Sequence, residues 1–470
     1  MTTDVQAPAP ARASARPPAP DPTDRRTRAL TRAVVALCTA AITVEGFDLI
    51  VYGVAMPSML ADSHLGLDKT LAGTLGSLVY LGMLIGAIVC GPLADRLGRR
   101  RLVLASGVIF TLFTVGCAVA ATPWQFGLFR LLAGIGMGGV MPSCVALAKE
   151  YAPRGRSALV ATIVLAGVPV GGVLAALTAA AWGDSLGWRG LFGVGAALST
   201  LVFVGVYALL PDSRPGAADA PAPRATPSTV SVGSPGPVGS PGPVGSPGPV
   251  GGPGSVGGPG SGGSLASGGP TAEAKNPSPA RSVLSDGRAR TTVLFVVANF
   301  AVLLAWYGLN TWLTQLMREM DYPLGSALQF TLVLNLGAVI GSFAIAAVAD
   351  RIGPRLVTIG SAALSSVAVV GLSLGGNTVV ILCLTALAGV GAHSSLTVLN
   401  DWVASTYPAS IRATALGYVS GFGRAGAIVA PLLGGWILTA SLGPTTVFYV
   451  FAGAAALSAA ALLAIPGRRA

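Results

Sequence analysis

Apolar runs dominate this chain and recur on a regular spacing. They lie at about residues 33–60, 71–93, 102–120, 124–147, 158–181 and 188–210, then after a gap at about 290–316, 325–349, 355–375, 378–402, 411–437 and 444–465. Each is long enough to cross a ~30 Å hydrocarbon core as a helix, which takes about 20 residues. None alternates with period two, so the runs read as helices and not as barrel strands. The pattern predicts an all-α polytopic membrane protein with twelve transmembrane helices in two six-helix halves. Polar stretches set the boundaries: an N-terminal arm over 1–31, a bundle over 32–212, a linker over 213–288, a second bundle over 289–466 and a tail over 467–470. The arm is rich in Pro and Ala, and in the linker glycine falls at every third position from Gly233 to Gly260. That register formally fits collagen, but an uncharged Gly/Pro/Ser tract between membrane helices has no apolar surface to offset its ordering entropy. Arm and linker are therefore expected to be disordered. The first apolar run is too long for a cleaved leader and carries Glu45 and Asp48 in its interior.

Composition narrows the class. The chain is 52% hydrophobic and only 10% charged, with a mean hydropathy of +0.71, whereas soluble domains are about a quarter charged. Five cysteines without C-x-x-C spacing or neighbouring histidines indicate neither a disulfide framework nor a metal site. With no nucleotide loop and no nucleophile motif, nothing points to an enzyme, a receptor or a bound cofactor. The net charge of +11 would suit nucleic acid if it were clustered, but the basic residues fall between the apolar runs. Placing the N-terminus in the cytoplasm puts 24 of the 29 inside and only Lys69, Arg189 and Arg318 outside, with Arg130 and Arg424 within helices. This bias predicts a cell (plasma or inner) membrane protein with both termini cytoplasmic. Its surroundings are the lipid bilayer; neither nucleic acid nor an obligate protein partner is implied.

The two halves are related. GPLADRLGRRR, with Asp95, recurs as AAVADRIGPR, with Asp350, at an offset of 255; Tyr151-Ala-Pro-Arg-Gly-Arg156 recurs as Tyr407-Pro-Ala-Ser-Ile-Arg412 at an offset of 256. Two motifs sharing one offset indicate a parallel repeat, the arrangement of transporters whose halves rock about a central site. The charges inside the membrane locate that site. A charge at the bilayer centre costs about 2.5–3.5 kcal/mol on insertion scales, so each needs a partner or a purpose. Glu45 and Asp48, three residues apart, share one face of the first helix, and two carboxylates held together in an apolar core are suited to exchanging protons. Arg130 and Arg424 stay charged at any relevant pH and each needs an anion. Tyr52, Trp306, Tyr307, Asn310 and Trp312 are candidates to line an aromatic pocket, as ordinary helix packing also explains. His393 is a candidate pocket or relay residue.

The first repeated motif resembles the signature loop of the major facilitator superfamily. By that resemblance Gly91, Asp95, Arg96, Gly98 and Arg99, with the diverged copy Asp350, Arg351 and Gly353, belong to a conformational latch, and Arg412 is grouped with it; Glu150, near a cytoplasmic helix end, reads as a gate residue or as an end-charge. Within that superfamily, Glu45-Gly46-Phe47-Asp48, the Arg130 to Pro153 segment, Tyr307-Gly-Leu-Asn310-Thr-Trp312 and Gly421-Phe-Gly423-Arg424-Ala-Gly426 are similar to the aromatic acid:proton symporter family. The resemblance implies the major facilitator fold and import of a benzoate- or hydroxybenzoate-type carboxylate with protons, driven by the proton gradient. From their depths in the helices and their permanent charge, Arg424 is read as the substrate residue and Arg130 as part of the coupling network with Glu45 and Asp48, the exchanged assignment remaining open. Glu45 stands where the family has Asp, and Thr314 where it has Pro. A carrier for another organic anion or metabolite, or a drug or metabolite efflux antiporter, are the alternatives. GVPVGG in the fifth helix does not match the antiporter pattern.

Overall fold

The structure, a computed structural model, describes residues 25–153, 155–210, 283–285 and 288–466. The helices are α1 (Arg25–Ala61), α2 (Lys69–Leu97), α3 (Arg99–Val119), α4 (Pro123–Glu150), α5 (Ser157–Leu165), α6 (Gly167–Leu209), α7 (Ala289–Glu319), α8 (Leu324–Ile352), α9 (Pro354–Ser373), α10 (Thr378–Thr406), α11 (Ala409–Thr439) and α12 (Pro444–Leu463). Eleven helical segments among the described residues are long and apolar enough to cross a membrane, and one of these, Ser157–Leu209, runs for 53 residues. At 1.5 Å per residue that is about 80 Å, far beyond one ~30 Å core. It folds back at Gly187, whose φ of 61° and ψ of −178° are non-helical. On one side of the bundle the Trp188 indole donates to Asp62 (2.9 Å) and Arg189 to the Ala120 carbonyl (3.3 Å), just past the ends of α1 and α3. On the other side Arg100, at the start of α3, donates to the Tyr207 carbonyl (2.9 Å). The described segments thus make twelve passes.

Asp62 ties this turn together. The Trp188 indole N–H, ahead of the His64 amide and the Arg189 guanidinium, holds its carboxyl below the usual carboxylate range.

The repeat read in the sequence is also a backbone repeat. Gly98 (φ 81°, ψ 150°) ends α2 and opens α3; Gly353 (φ 90°, ψ 150°) ends α8 and opens α9. Their N–H groups return to the carbonyls of Ala94 and Ala349. A side chain is strained in that region of φ and ψ, so both corners require glycine.

Two boundaries differ from expectation. Helix α1 starts at Arg25, inside the stretch expected to be an arm to residue 31; arginine propagates a helix nearly as well as alanine. Val283, near the end of the expected linker, is fully buried beside Phe295, Leu399 and Trp402, and its carbonyl accepts from Thr292 Oγ1 at 3.0 Å. An apolar side chain beside an apolar cluster is drawn into it, whatever the tract before it does. The rest of the arm, the linker over 211–282 and the tail over 467–470 lie outside the described residues.

The halves meet mainly through α2 with α11, α6 with α8 and α1 with α7. The end of the bundle bearing Arg99, Arg100, Arg355 and Arg412 is called here the basic end. At the opposite end the halves are in contact: Lys69 Nζ lies 2.7 Å from Glu319 Oε1, and Thr70 Oγ1 donates to Thr439 Oγ1 at 2.8 Å. There α2 and α11 touch backbone to backbone, and a Cβ on Gly73 would lie 2.5 Å from the Pro431 carbonyl oxygen and 3.3 Å from Gly435 Cα. Towards the basic end the same two helices part, and a Cβ at Gly91, Gly417 or Gly421 would meet nothing within 4 Å. A channel of about 410 Å3 runs between them from Arg99 to Arg424. The protein is closed at one end and open at the basic end.

Gly73→Val should therefore prise apart the closed end. A cysteine introduced at Thr70 should react with a polar maleimide several-fold faster in the Gly73→Val background than with Gly73 intact. Equal rates would show that this contact does not hold the end shut.

Candidate functional site

Between the halves lies a cavity of about 190 Å3, walled by Tyr80 and Met83 of α2, Asn299, Trp306 and Tyr307 of α7, His393 of α10 and Arg424 of α11. It joins the channel to the basic end through Ser420 and Arg424. The Tyr80 and Tyr307 rings meet across the interface of the halves at 4.7 Å and 52°. Sequence spacing explains the α7 wall: positions 299, 303, 306 and 307 fall on one helical face.

The four intramembrane charges divide into two sets. Arg130, 1% exposed, donates from Nη1 to Asp48 Oδ2 at 2.5 Å and to the Asp48 carbonyl at 3.2 Å. Thr114 Oγ1 lies 3.1 Å from Asp48 Oδ1, and the guanidinium sits 5.3 Å from the Tyr52 ring centre and 5.8 Å from that of Phe192. This is a locally neutral, sealed pair, and deleting one member would strand a buried charge at a cost of about 3–5 kcal/mol. Glu45 is also fully buried, yet neither carboxylate oxygen has a hydrogen-bond partner among the described residues. The charges acting on it are Arg424 and Asp48. Arg424 makes one hydrogen bond, to the Met83 carbonyl at 3.2 Å, and no ion pair within 4 Å among the described residues. Its remaining N–H donors have no partner among the described residues, and it lines both the cavity and the channel.

Of the aromatic, amide and imidazole candidates, Trp306, Tyr307 and His393 line the cavity. Tyr52, Asn310 and Trp312 do not. Tyr52 donates to the Ala72 carbonyl (2.5 Å) and stacks on Phe126. Asn310 accepts from Asn335 (3.0 Å) and donates to Trp306 O (2.9 Å). Trp312 donates to Pro431 O (3.1 Å) and is fully buried. Asn310 lies three residues beyond Tyr307 along α7, and Trp312 five residues beyond, turned roughly 140° from its direction. All three are engaged in contacts within the helix bundle and not with the cavity. Tyr80, Met83, Asn299, Thr397, Asn400 and Ser420 are among the cavity residues outside the sequence-derived site. Only the α7 set carried a readable signal, its i, i+4, i+7, i+8 spacing.

At the basic end, Arg99 and Glu150 form an ion pair between the start of α3 and the end of α4. Gly91 lines the channel, and Arg96 is exposed. The side chain of Asp95 lies outside the described residues. In the second half Asp350, Arg351 and Arg412 are exposed and make no ion pair within 4 Å among the described residues; Arg412 Nε reaches the Tyr407 carbonyl at 3.4 Å. The first copy of the latch is thus engaged within its own half, while the second stands open. No cluster of metal-ligating residues occurs among the described residues, and the cysteines among them are unpaired.

The chain is 36% identical over 424 residues to a gentisate transporter of Corynebacterium glutamicum, covering 90% of this chain and 84% of that protein. It is 31% identical over 414 residues to a benzoate transport protein of Acinetobacter baylyi, covering 87% and 84%. Its fold matches that of a D-xylose-proton symporter with a TM-score of 0.68, at 14% identity over 93% of this chain and 98% of the other. A profile of the Major Facilitator Superfamily matches residues 38–384 and 330–470, two overlapping stretches that together take in both halves. With its two related six-pass halves and a cavity between them, the chain belongs to the Major Facilitator Superfamily and is a multi-pass membrane transporter, not an enzyme.

Proposed function

We propose that this transporter carries a small aromatic carboxylate into the cell together with protons, by alternating access. The observation that carries the reading is Arg424, a permanent cation with free donors at the wall of a ring-lined cavity. A cavity of about 150 Å3 accommodates benzene, so about 190 Å3 suits a single aromatic ring. Tyr80, Trp306 and Tyr307 supply faces for that ring, and Arg424 can meet a carboxylate through two parallel hydrogen bonds. The gentisate and benzoate specificities of the two relatives support the same substrate class.

Proton coupling follows from competition for one cation. Arg424 is the positive charge whose field acts on Glu45. A substrate carboxylate on Arg424 would take over that charge and leave Glu45 with neither donor nor counter-ion, and a proton on Glu45 restores neutrality. Asp48 keeps its partner throughout, because Arg130 and Thr114 hold it away from the cavity. Of the two carboxylates, Glu45 is therefore the exchanging one, and Asp48 with Arg130 is the fixed part of the network. The excess of basic residues at the open end argues that this end faces the cytoplasm, with both termini on that side of the cell membrane. Closure there would bring the latch residues Arg99 and Asp350 into play.

Three outcomes test this. Arg424→Ala should weaken binding of a benzoate-type acid by roughly 10- to 100-fold, since a hydrogen bond to a charged group is worth about 1.5–3 kcal/mol. Arg424→Lys should recover only part of that, for want of the bidentate fork; isothermal titration of the purified protein measures both. Unchanged affinity in Arg424→Ala would remove the anchor. Glu45→Gln should still exchange labelled for unlabelled substrate across proteoliposomes but fail to accumulate it on a proton gradient; wild-type accumulation by this variant would relieve Glu45 of coupling. Finally, Asp48→Leu should lower the thermal midpoint more than the double variant Asp48→Leu/Arg130→Met, which removes both charges together. The opposite order would mean that the pair is not what neutralises that part of the bundle.

A further inference from the structure

We propose that the flank of the first half holds one anionic phospholipid, with its phosphate between Arg32 and Arg156 and an acyl chain in the groove that runs from them along α1.

The groove lies between α1, α5 and α6 and has a volume of about 760 Å3, within the roughly 300–1,000 Å3 of sites that hold a small molecule. Its walls come from residues between Thr31 and Val202, so it belongs to the first half alone, and it shares no residue with the substrate cavity. Val35, Ala36 and Ala40 of α1, Leu159 of α5, and Leu174 and Val202 of α6 make it apolar. Leu159 and Leu174 are 51% and 40% exposed. A contiguous exposed apolar patch in a chain of this class marks contact with lipid.

Both arginines line this groove at the basic end. Thr31 Oγ1 donates to the Tyr151 carbonyl at 3.0 Å, which fixes the start of α1 against the turn leading into α5 and holds Arg32 and Arg156 over one opening. Both side chains are exposed and form no ion pair within 4 Å among the described residues, and no acidic residue lines the groove. Two permanent cations above an apolar slot are complementary to a molecule that is anionic at one end and apolar along the rest. A zwitterionic lipid carries its own cation beside the phosphate and gains little from them. A phospholipid with a net negative charge gains both contacts.

The depth of the groove agrees with this occupant. From Arg32 to Val44 along α1 the wall rises about 18 Å, against about 15 Å for one leaflet of a ~30 Å hydrocarbon core. A chain whose head group stays at the surface reaches that far. Its end would lie at Val44, on the turn of α1 that carries Glu45.

Native mass spectrometry of the purified full-length protein, titrated in neutral detergent with phosphatidylglycerol or with phosphatidylcholine of the same chains, tests this. Wild type should retain one phosphatidylglycerol roughly 10- to 30-fold more tightly than phosphatidylcholine, each arginine contributing about fivefold. Arg32→Gln/Arg156→Gln should bring the two lipids to within about twofold. Arg101→Gln/Arg290→Gln, which removes the same charge elsewhere at that end, should keep the wild-type preference. Ala36→Trp retains both arginines but fills the groove, and should weaken retention of phosphatidylglycerol about tenfold or more. All five positions are exposed, so the substitutions leave the bundle intact, which gel filtration checks. Glycerol phosphate, the head group without chains, should fail to displace the lipid at equal concentration. Equal retention of the two lipids by wild type, or a preference that survives Arg32→Gln/Arg156→Gln, would overturn the proposal. So would a preference lost as fully in Arg101→Gln/Arg290→Gln, retention undisturbed by Ala36→Trp, or displacement by glycerol phosphate. A dimer that Ala36→Trp dissociates would also overturn it and assign the groove to a second copy of the chain.

Discussion

A charge buried away from water must be neutralised, and the four intramembrane charges of this protein meet that demand in two ways. Asp48 and Arg130 neutralise each other at 2.5 Å within the first half, under the rings of Tyr52 and Phe192. Such a pair is stable because either member alone would be far more costly to bury. Glu45, in the first half, lies within the field of Arg424, in the second, and the two form no ion pair within 4 Å among the described residues. A cation in that state is open to exchange, since an incoming anion can replace the internal one. The first pair holds α1 against α4; in the proposed function the second would couple α1 and α11 to what occupies the cavity.

Closure at one end and opening at the other follow from where backbones can approach. Near Lys69 the small residues Gly73 and Gly435 let α2 and α11 touch, and the Lys69–Glu319 pair and the Thr70–Thr439 hydrogen bond lie over that contact. Towards the basic end the glycines of the same helices face open space. A rocking motion would exchange these conditions, separating the glycine contact and bringing the latch corners at Gly98 and Gly353 towards the other half. Those corners have nearly identical backbone angles, so the two halves offer equivalent rigid edges to the motion.

The cavity residues show how far a linear pattern reaches. Arg424 stood out because a guanidinium inside an apolar run must have a purpose, and Tyr307 and His393 because they interrupt apolar helices with polar tips. Tyr52, Asn310 and Trp312 look the same in sequence but serve packing, since their polar atoms are taken by Ala72, Asn335 and Pro431. Tyr80 and Asn299 carried no signal of their own: one tyrosine or asparagine in a membrane helix is compatible with a wall, a lipid-facing surface or a helix contact.

The sequence by itself determined the number of apolar segments, their division into related halves, the glycine corners and the identity of the charges within the membrane. These are legible because the bilayer imposes the same demand on every segment separately: about 20 apolar residues, and no charge without cause. Only the tertiary structure decided which carboxylate joins which arginine, which face of α7 meets the cavity, and which end is closed. Asp48 and Arg130 are 82 residues apart in sequence, and Glu45 meets the field of Arg424 from the other half of the chain. Partners so distant are chosen by how helices pack and turn about their axes, which the spacing of residues along any one helix does not specify.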